Sequence, residues 1–142
     1  MFRKILVAVD GSTNSDRALE AAAELARLEE SGLTVCHAFS IPERYRADLA
    51  DELEESLMAD ADAMLTHAVG LASKAGVEAD RKLLKKSPAA EAIVAFAAEL
   101  GADLIVAGVR GKTADQARPL GSVSRSIAER AGCSVLLIRR KV

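Results

Sequence analysis

The segment GVRGKTADQARPLGSVS, residues 108–124, carries the chain from an apolar run typical of a buried strand, LIVA at 104–107, into an amphipathic helix over 123–131. Glycines stand at 108, 111 and 121 of this loop. Glycine lets the backbone approach a ligand closely, and the N–H groups of a helix start attract anions, so the loop favours a phosphate site. The alternative is a surface loop with turn glycines and a serine N-cap, and the loop's chemistry alone leaves both open.

Length and composition indicate one soluble domain over residues 1–142. Half of the residues are hydrophobic and 3% are aromatic, which predicts an aliphatic core. The formal net charge of -2 gives no electrostatic case for binding nucleic acid or an anionic membrane surface. We expect no membrane insertion and a cytoplasmic location, since no apolar run approaches about 20 residues and the N-terminus lacks signal-peptide features. Cys36 and Cys133 lie in apolar strand patterns, which favours buried free thiols over a metal or redox site.

Strands and helices alternate along the chain. The patterns predict strands over 2–9, 33–39, 77–84, 103–107 and 133–138. They predict helices from the polar turn at 10–15 to about 31, over 47–75, from 88 to about 100, and over 123–131. This alternation is typical of the α/β class, a doubly wound five-stranded parallel sheet of order 3-2-1-4-5 with helices on both faces. Polar residues in the third strand suit a sheet edge.

The longest predicted helix, 47–75, has an apolar stripe and a strongly acidic first half. We expect the acidic residues to form a solvated outer face. The stripe that should be buried consists of Leu49, Leu53, Leu57, Ala61, Met64, Ala68 and Leu71.

The predicted strand order brings two distant motifs together. Its direction reverses between strands 1 and 4, and ligands of such folds bind at the carboxyl ends of the strands that border this reversal. Asp10 follows strand 1 and Gly108 follows strand 4. We therefore expect one crevice that both motifs line.

The spacing excludes the two commonest phosphate motifs. A P-loop ending in Gly111-Lys112-Thr113 would need glycine where Val106 stands, and no GxGxxG follows the first strand. The remaining pattern, glycine, two residues, glycine, nine residues, glycine-serine, resembles the nucleotide-binding signature of the ATP-binding branch of the universal stress protein family. The opening KILVAVDGS, residues 4–12, and the strand after Gly132-Cys133 are also similar to this family, so the resemblance spans essentially the whole chain.

The resemblance implies a fold like that of the adenine nucleotide alpha hydrolases and a loop that surrounds the ribose and phosphates of ATP, or of AMP or ADP, with or without Mg²⁺. Asp10 would accept hydrogen bonds from ribose hydroxyls or help hold the metal, unless it caps the first helix. Arg110, Lys112 and Arg118 would supply countercharge, or are simply exposed. The expected binding residues are Val9, Asp10, Ala38, Ala107, Gly108, Arg110, Gly111, Gly121, Ser122, Val123 and Ser124. His37 is interpreted as structural, and His67 has no visible partner.

Phosphoryl transfer needs a positioned base or nucleophile in addition to countercharge, and the sequence offers no convincing base. We therefore expect a regulatory module of the stress response, not an enzyme, that responds to nucleotide through its conformation or an unidentified protein partner. The alternative is a slow ATPase or phosphotransfer enzyme that uses Asp10, Arg110 and Ser122. A phospho-receiver domain is disfavoured, because the third strand ends in Leu83-Leu84-Lys85-Lys86 with no aspartate.

The last strand predicts self-association. In the proposed order it is an edge strand, yet residues 135–138, VLLI, are wholly apolar. An exposed apolar edge invites pairing unless it is covered. We expect a homodimer through residues 133–139 around a two-fold axis, which the family resemblance also implies.

Overall fold

The computed structural model describes residues 1–40, 47–86, 88–110 and 120–139, with backbone alone at 47, 48 and 50. The strands are β1 (Lys4–Ala8), β2 (Gly32–Ala38), β3 (Ala79–Leu84), β4 (Leu104–Gly108) and β5 (Ser134–Ile138). The helices are α1 (Thr13–Glu29), α2 (Ala47–Lys74), α3 (Ala89–Leu100) and α4 (Ser122–Arg130). Each element lies where the sequence predicts it, with ends that differ by a few residues.

The five strands form one parallel sheet in the order β3-β2-β1-β4-β5, as predicted. β1 is the central strand, and its Leu6 lies between Thr34 of β2 and Ile105 of β4. Side chains at the middle of β1 are completely buried, because helices cover both faces of the sheet. β3 and β5 are the two edges.

Strand alternation divides the apolar residues into two cores. Ile5 and Val7 face α1 and α2, while Leu6 faces α3 and α4. Cys36 belongs to the second core as a buried free thiol, and burial raises its pKa to about 12. Cys133 differs from the prediction, since it is a free thiol that is only partly buried beside the β5 edge.

Helix α2 is longer than the sheet that it covers. Its fully buried residues are Ala61, Leu65, Ala68 and Ala72. The predicted stripe is therefore wrong in its first half, where Leu49 is 50% exposed and Leu53 and Leu57 are only partly buried. The physical reason is length: 28 residues of helix lie against strands of five to seven residues. We call residues 47–60 the α2 overhang.

The turn after α2 explains why β3 begins later than predicted. Gly76 has a left-handed backbone with φ of 86°, and the Val77 N–H donates to the carbonyl of Ala72 at 2.9 Å. Val77 therefore closes the helix instead of joining the sheet. Across the described ranges, we find no helix with the length and apolar character needed to cross a membrane.

Candidate functional site

The carboxyl ends of β1 and β4 lie side by side at one edge of the sheet. Beyond β1, the Val9 N–H donates to the Cys36 carbonyl at 2.9 Å, and beyond β4 the Val109 N–H donates to the Ile138 carbonyl at 2.9 Å. The backbone therefore keeps the strand pairing for one residue past the end of β1 and of β4 before it turns away from the sheet. The strand order reverses here, so the structure brings the Asp10 and Gly108 motifs to one crevice, which we call the carboxyl crevice.

Asp10 braces the turn from β1 to α1. Its Oδ1 accepts a hydrogen bond from the Ser12 N–H at 2.9 Å, while Ser12 is the N-cap whose hydroxyl accepts from the Ser15 N–H at 3.2 Å. Gly11 between them has φ of 83°, and an added Cβ would lie 3.2 Å from the Met64 sulfur. The turn requires glycine because of this left-handed backbone.

Asn14 joins the first turn of α1 to the start of the glycine loop. A Cβ added at Gly108 would lie 3.0 Å from the Asn14 Cβ and 3.2 Å from its carbonyl carbon, so β4 and α1 are in close contact here. The Asn14 Nδ2 donates to the Arg110 carbonyl at 3.0 Å, and its buried Oδ1 has no hydrogen-bond partner within the described part of the chain. Asn14 is not among the residues predicted from the sequence. Its type suits a helix start equally well, and its partners are distant in sequence.

Among the described residues, no side chain caps the start of helix α4. Gly121 is the N-cap in an extended conformation, and the first turn of the helix contains no acidic residue. The starts of α1 and α3 differ from it. In α1, Ser12 is the capping residue and Asp16 is an acidic residue in the first turn, and α3 carries Glu91 in its first turn. The first N–H groups of a helix have no intrahelical acceptor. Of these three helix starts, only that of α4 has neither a capping side chain nor an acidic residue in its first turn among the described residues.

Hydrogen bonds fix this helix start against β4. The Gly121 N–H donates to the Val109 carbonyl at 2.9 Å, and the Ser124 hydroxyl donates to the Gly108 carbonyl at 2.5 Å. Ser124 is buried, whereas Ser122 and Val123 are exposed. Of the predicted binding serines, Ser124 is thus hydrogen-bonded to the protein, and Ser122 is an exposed residue.

The end of β2 supplies Ala38, which is partly buried, and His37. The His37 Nδ1 lies 2.7 Å from the Val9 carbonyl, which can only accept, so Nδ1 carries the hydrogen in this contact. His37 therefore ties β2 to β1, in keeping with a structural role. His67, which the sequence left without a partner, lies 3.3 Å from the Asp16 carboxylate.

The remaining predicted binding residues differ in their burial, and some of them lie outside the described part of the chain. Val9 and Ala107 are buried beside the crevice, and Arg110 is partly buried at its rim. Gly111, Lys112 and Arg118 lie outside the described residues. The described crevice therefore consists of the ends of β1, β2 and β4 and the start of α4.

Comparisons with known proteins agree with this architecture. The model of the universal stress protein family matches residues 1–139. The universal stress protein YxiE of Bacillus subtilis is 33% identical, over 98% of this chain and 100% of that protein. The universal stress protein of Archaeoglobus fulgidus in complex with dAMP superposes with a TM-score of 0.70 at 31% identity, over 96% of this chain and 97% of that one. A universal stress protein in complex with cAMP gives a TM-score of 0.76 at 29% identity, with coverages of 96% and 97%.

Proposed function

Because the chain belongs to the universal stress protein family, we propose that it is a regulatory module of the stress response that binds ATP in the carboxyl crevice. Nucleotide binding changes its conformation or its contacts with a partner protein. The protein acts in the cytoplasm. AMP and ADP share the adenine and ribose chemistry of ATP and are the alternative ligands.

One observation carries this proposal: among the described residues, no side chain caps the start of α4 and its first turn has no acidic residue, while hydrogen bonds from Gly121 and Ser124 fix it at the crevice. Preorganised N–H groups at a helix start bind phosphate oxygens, and the helix dipole adds a favourable field. A capping side chain or an acidic residue at this position would compete with the phosphate. The missing cap thus suits a ligand that supplies its own negative charge.

The remaining crevice residues suit the other parts of an adenine nucleotide. Gly108 has no Cβ, which lets Asn14 at the start of α1 pack directly against the end of β4 and so fixes one wall of the crevice. Asp10 supplies the carboxylate for ribose hydroxyls or for a Mg²⁺ ion that accompanies the phosphates. Ala38 and Val9 supply apolar surface for adenine, and Arg110 and the exposed Ser122 line the phosphate side. Two related proteins have been solved in complex with dAMP and cAMP, both of which contain adenine, a sugar and a phosphate.

We propose regulation and not catalysis. The Asp10 carboxylate accepts the Ser12 N–H, and the Ser124 hydroxyl is bonded to the Gly108 carbonyl. These contacts favour fixed binding groups over a mobile base or nucleophile. The proposal therefore expects bound ATP to stay intact over hours, whereas steady release of ADP would favour the slow ATPase.

The experiment is to denature the purified protein, identify the released small molecules by mass spectrometry, and titrate the nucleotide-free protein with ATP by calorimetry. We expect a Kd of micromolar order. Gly121→Leu should weaken it at least about ten-fold, because a bulky side chain enters the phosphate position. Gly132→Leu is the matched control, since that glycine is exposed and has open space around it. Absence of both released nucleotide and binding heat would contradict the proposal.

A further inference from the structure

The α2 overhang extends past the sheet. At about 1.5 Å per residue, the 28 residues of α2 span about 42 Å, while strands of five to seven residues span roughly 17 to 23 Å. Among the α2 residues whose side chains are described, the fully buried ones run from Ala61 to Ala72. Met64 packs on Gly11 at the carboxyl edge. Residues 47–60 precede Met64 in a helix that enters from this edge, so the overhang projects beyond it, beside the carboxyl crevice.

The overhang carries apolar side chains that the described part of the molecule does not bury. Leu49 is 50% exposed and Met58 is 37% exposed, while Leu53 and Leu57 are partly buried. Leu49, Leu53 and Leu57 recur every four residues, so they continue along the helix the stripe that Ala61 and Leu65 bury against the sheet. An apolar stripe that extends beyond the core against which the helix packs is suited to contact another molecule.

The charge of the overhang defines the chemistry of that molecule. Residues 47–60 contain no basic residue and six acidic ones, namely Asp48, Asp51, Glu52, Glu54, Glu55 and Asp60. Glu54 is 3.0 Å from the Lys85 ammonium, and the side chains of Asp51, Glu52 and Glu55 are exposed. This field repels nucleic acid and anionic lipid, and it attracts a cationic polypeptide.

We propose that the α2 overhang binds a cationic amphipathic helix of a partner protein. The apolar side of that helix packs on Leu49 and Leu53, which lie one turn apart on one face of α2, and its lysine and arginine residues face the acidic side chains. This is the helix-against-helix mode of peptide recognition, in which apolar anchors supply affinity and the surrounding charges supply selectivity. The interaction does not require nucleotide, so its test is independent of ATP binding.

The probe is a fluorescein-labelled synthetic peptide of about 18 residues with leucine on one helical face and lysine on the other, followed by fluorescence anisotropy. We expect micromolar binding to the wild-type protein. The double variant Leu49→Ser, Leu53→Ser, which removes two apolar side chains from one face of α2, should weaken it about ten-fold. Leu28→Ser is the matched control, because Leu28 is a 66% exposed leucine on α1, and this variant should bind like the wild type.

The charge contribution is tested separately. Glu52→Lys with Glu55→Lys should weaken binding about ten-fold at low salt, and the difference from wild type should shrink in 1 M salt, where screening acts over about 3 Å. Glu129→Lys, an exposed site on α4, is the control. Circular dichroism of each variant verifies that it is folded.

Three results would overturn the proposal. The first is equal peptide affinity for the double variant Leu49→Ser, Leu53→Ser and for Leu28→Ser. The second is equal binding of a peptide in which glutamate replaces lysine, since that indicates unselective apolar contact. The third is a dimer of the free protein that Leu49→Ser dissociates, which would assign the overhang to a second copy of the chain.

Discussion

At the scale of single residues, the contact between Gly108 and Asn14 sets how closely α1 approaches β4. The atoms nearest to a Cβ at Gly108 include the Asn14 backbone, which cannot rotate away as the end of a flexible side chain can. The same asparagine donates to the Arg110 carbonyl. Any displacement of Asn14 would thus also release the start of the glycine loop.

We predict that Gly108→Ala lowers the free energy of unfolding by about 1–3 kcal/mol, because the added methyl group overpacks the contact with Asn14. The measurement is urea denaturation followed by circular dichroism. Gly132→Ala is the matched control, since its Cβ would meet nothing within 4 Å, and it should change stability by less than about 0.5 kcal/mol. Equal free energies of unfolding for the two variants would contradict this prediction, since α1 would then move away from the added methyl group at no cost in stability.

The residues of the crevice were predictable where their signal is local. The turn from Asp10 to Ser12 and the glycine start of α4 follow from residue types next to the ends of strands and helices. Asn14 was not predictable, because its role depends on Arg110, which is 96 residues away in sequence. The hydrogen bond from Ser124 to Gly108 was missed for the same reason, since a serine at a helix start suits a ligand and a strand carbonyl equally well.

At the scale of elements, α2 contains a glycine that packing does not require. Gly70 is exposed inside the helix, and a Cβ there would meet nothing within 4 Å. Glycine in a helix costs stability relative to alanine because the unfolded backbone is more flexible. The helix is therefore less stable than its length suggests.

We predict that Gly70→Ala raises the free energy of unfolding by about 0.5–1 kcal/mol. Gly101→Ala should do the opposite, although its surroundings are equally open, because Gly101 ends α3 with φ of 73°. Thermal and urea denaturation of both variants give the comparison. A gain in stability for Gly101→Ala would contradict the backbone explanation.

Periodicity predicted every strand and helix but not how far each is buried. The strand positions were predicted correctly because the apolar runs are short and bounded by turn residues. The burial of Leu49 was predicted wrongly, because a helical stripe does not reveal where the sheet beneath it ends. Likewise, Val77 continues an apolar pattern, yet its N–H belongs to the end of α2.

At the scale of the whole molecule, the outer edge of β5 is the surface most suited to a second copy of the chain. Leu136 is 38% exposed on this strand, and Val135, Leu137 and Ile138 are partly buried. An apolar edge strand is stabilised when its backbone pairs with another strand. A two-fold axis beside β5 would pair the edge with itself.

We predict a homodimer through residues 133–139, with a mass by light scattering of twice 14.9 kDa at micromolar concentration. Leu136→Lys should shift the protein to the monomer, because the edge would then carry a charge. Leu49→Lys, which adds the same charge on the α2 overhang, should leave the dimer intact. A monomeric wild-type protein would refute the prediction.

The sheet order was predictable because alternating strands and helices permit few topologies, and the reversal between β1 and β4 then located the crevice. That order has a consequence for the growing chain. The middle strand, β1, leaves the ribosome first, and its β4 side stays open until residues 104–108 have been translated. At roughly 5–20 residues per second, this strand waits several seconds for its second neighbour. The nascent protein therefore passes through a period in which its central strand has an open edge, and chaperones can bind it during that period.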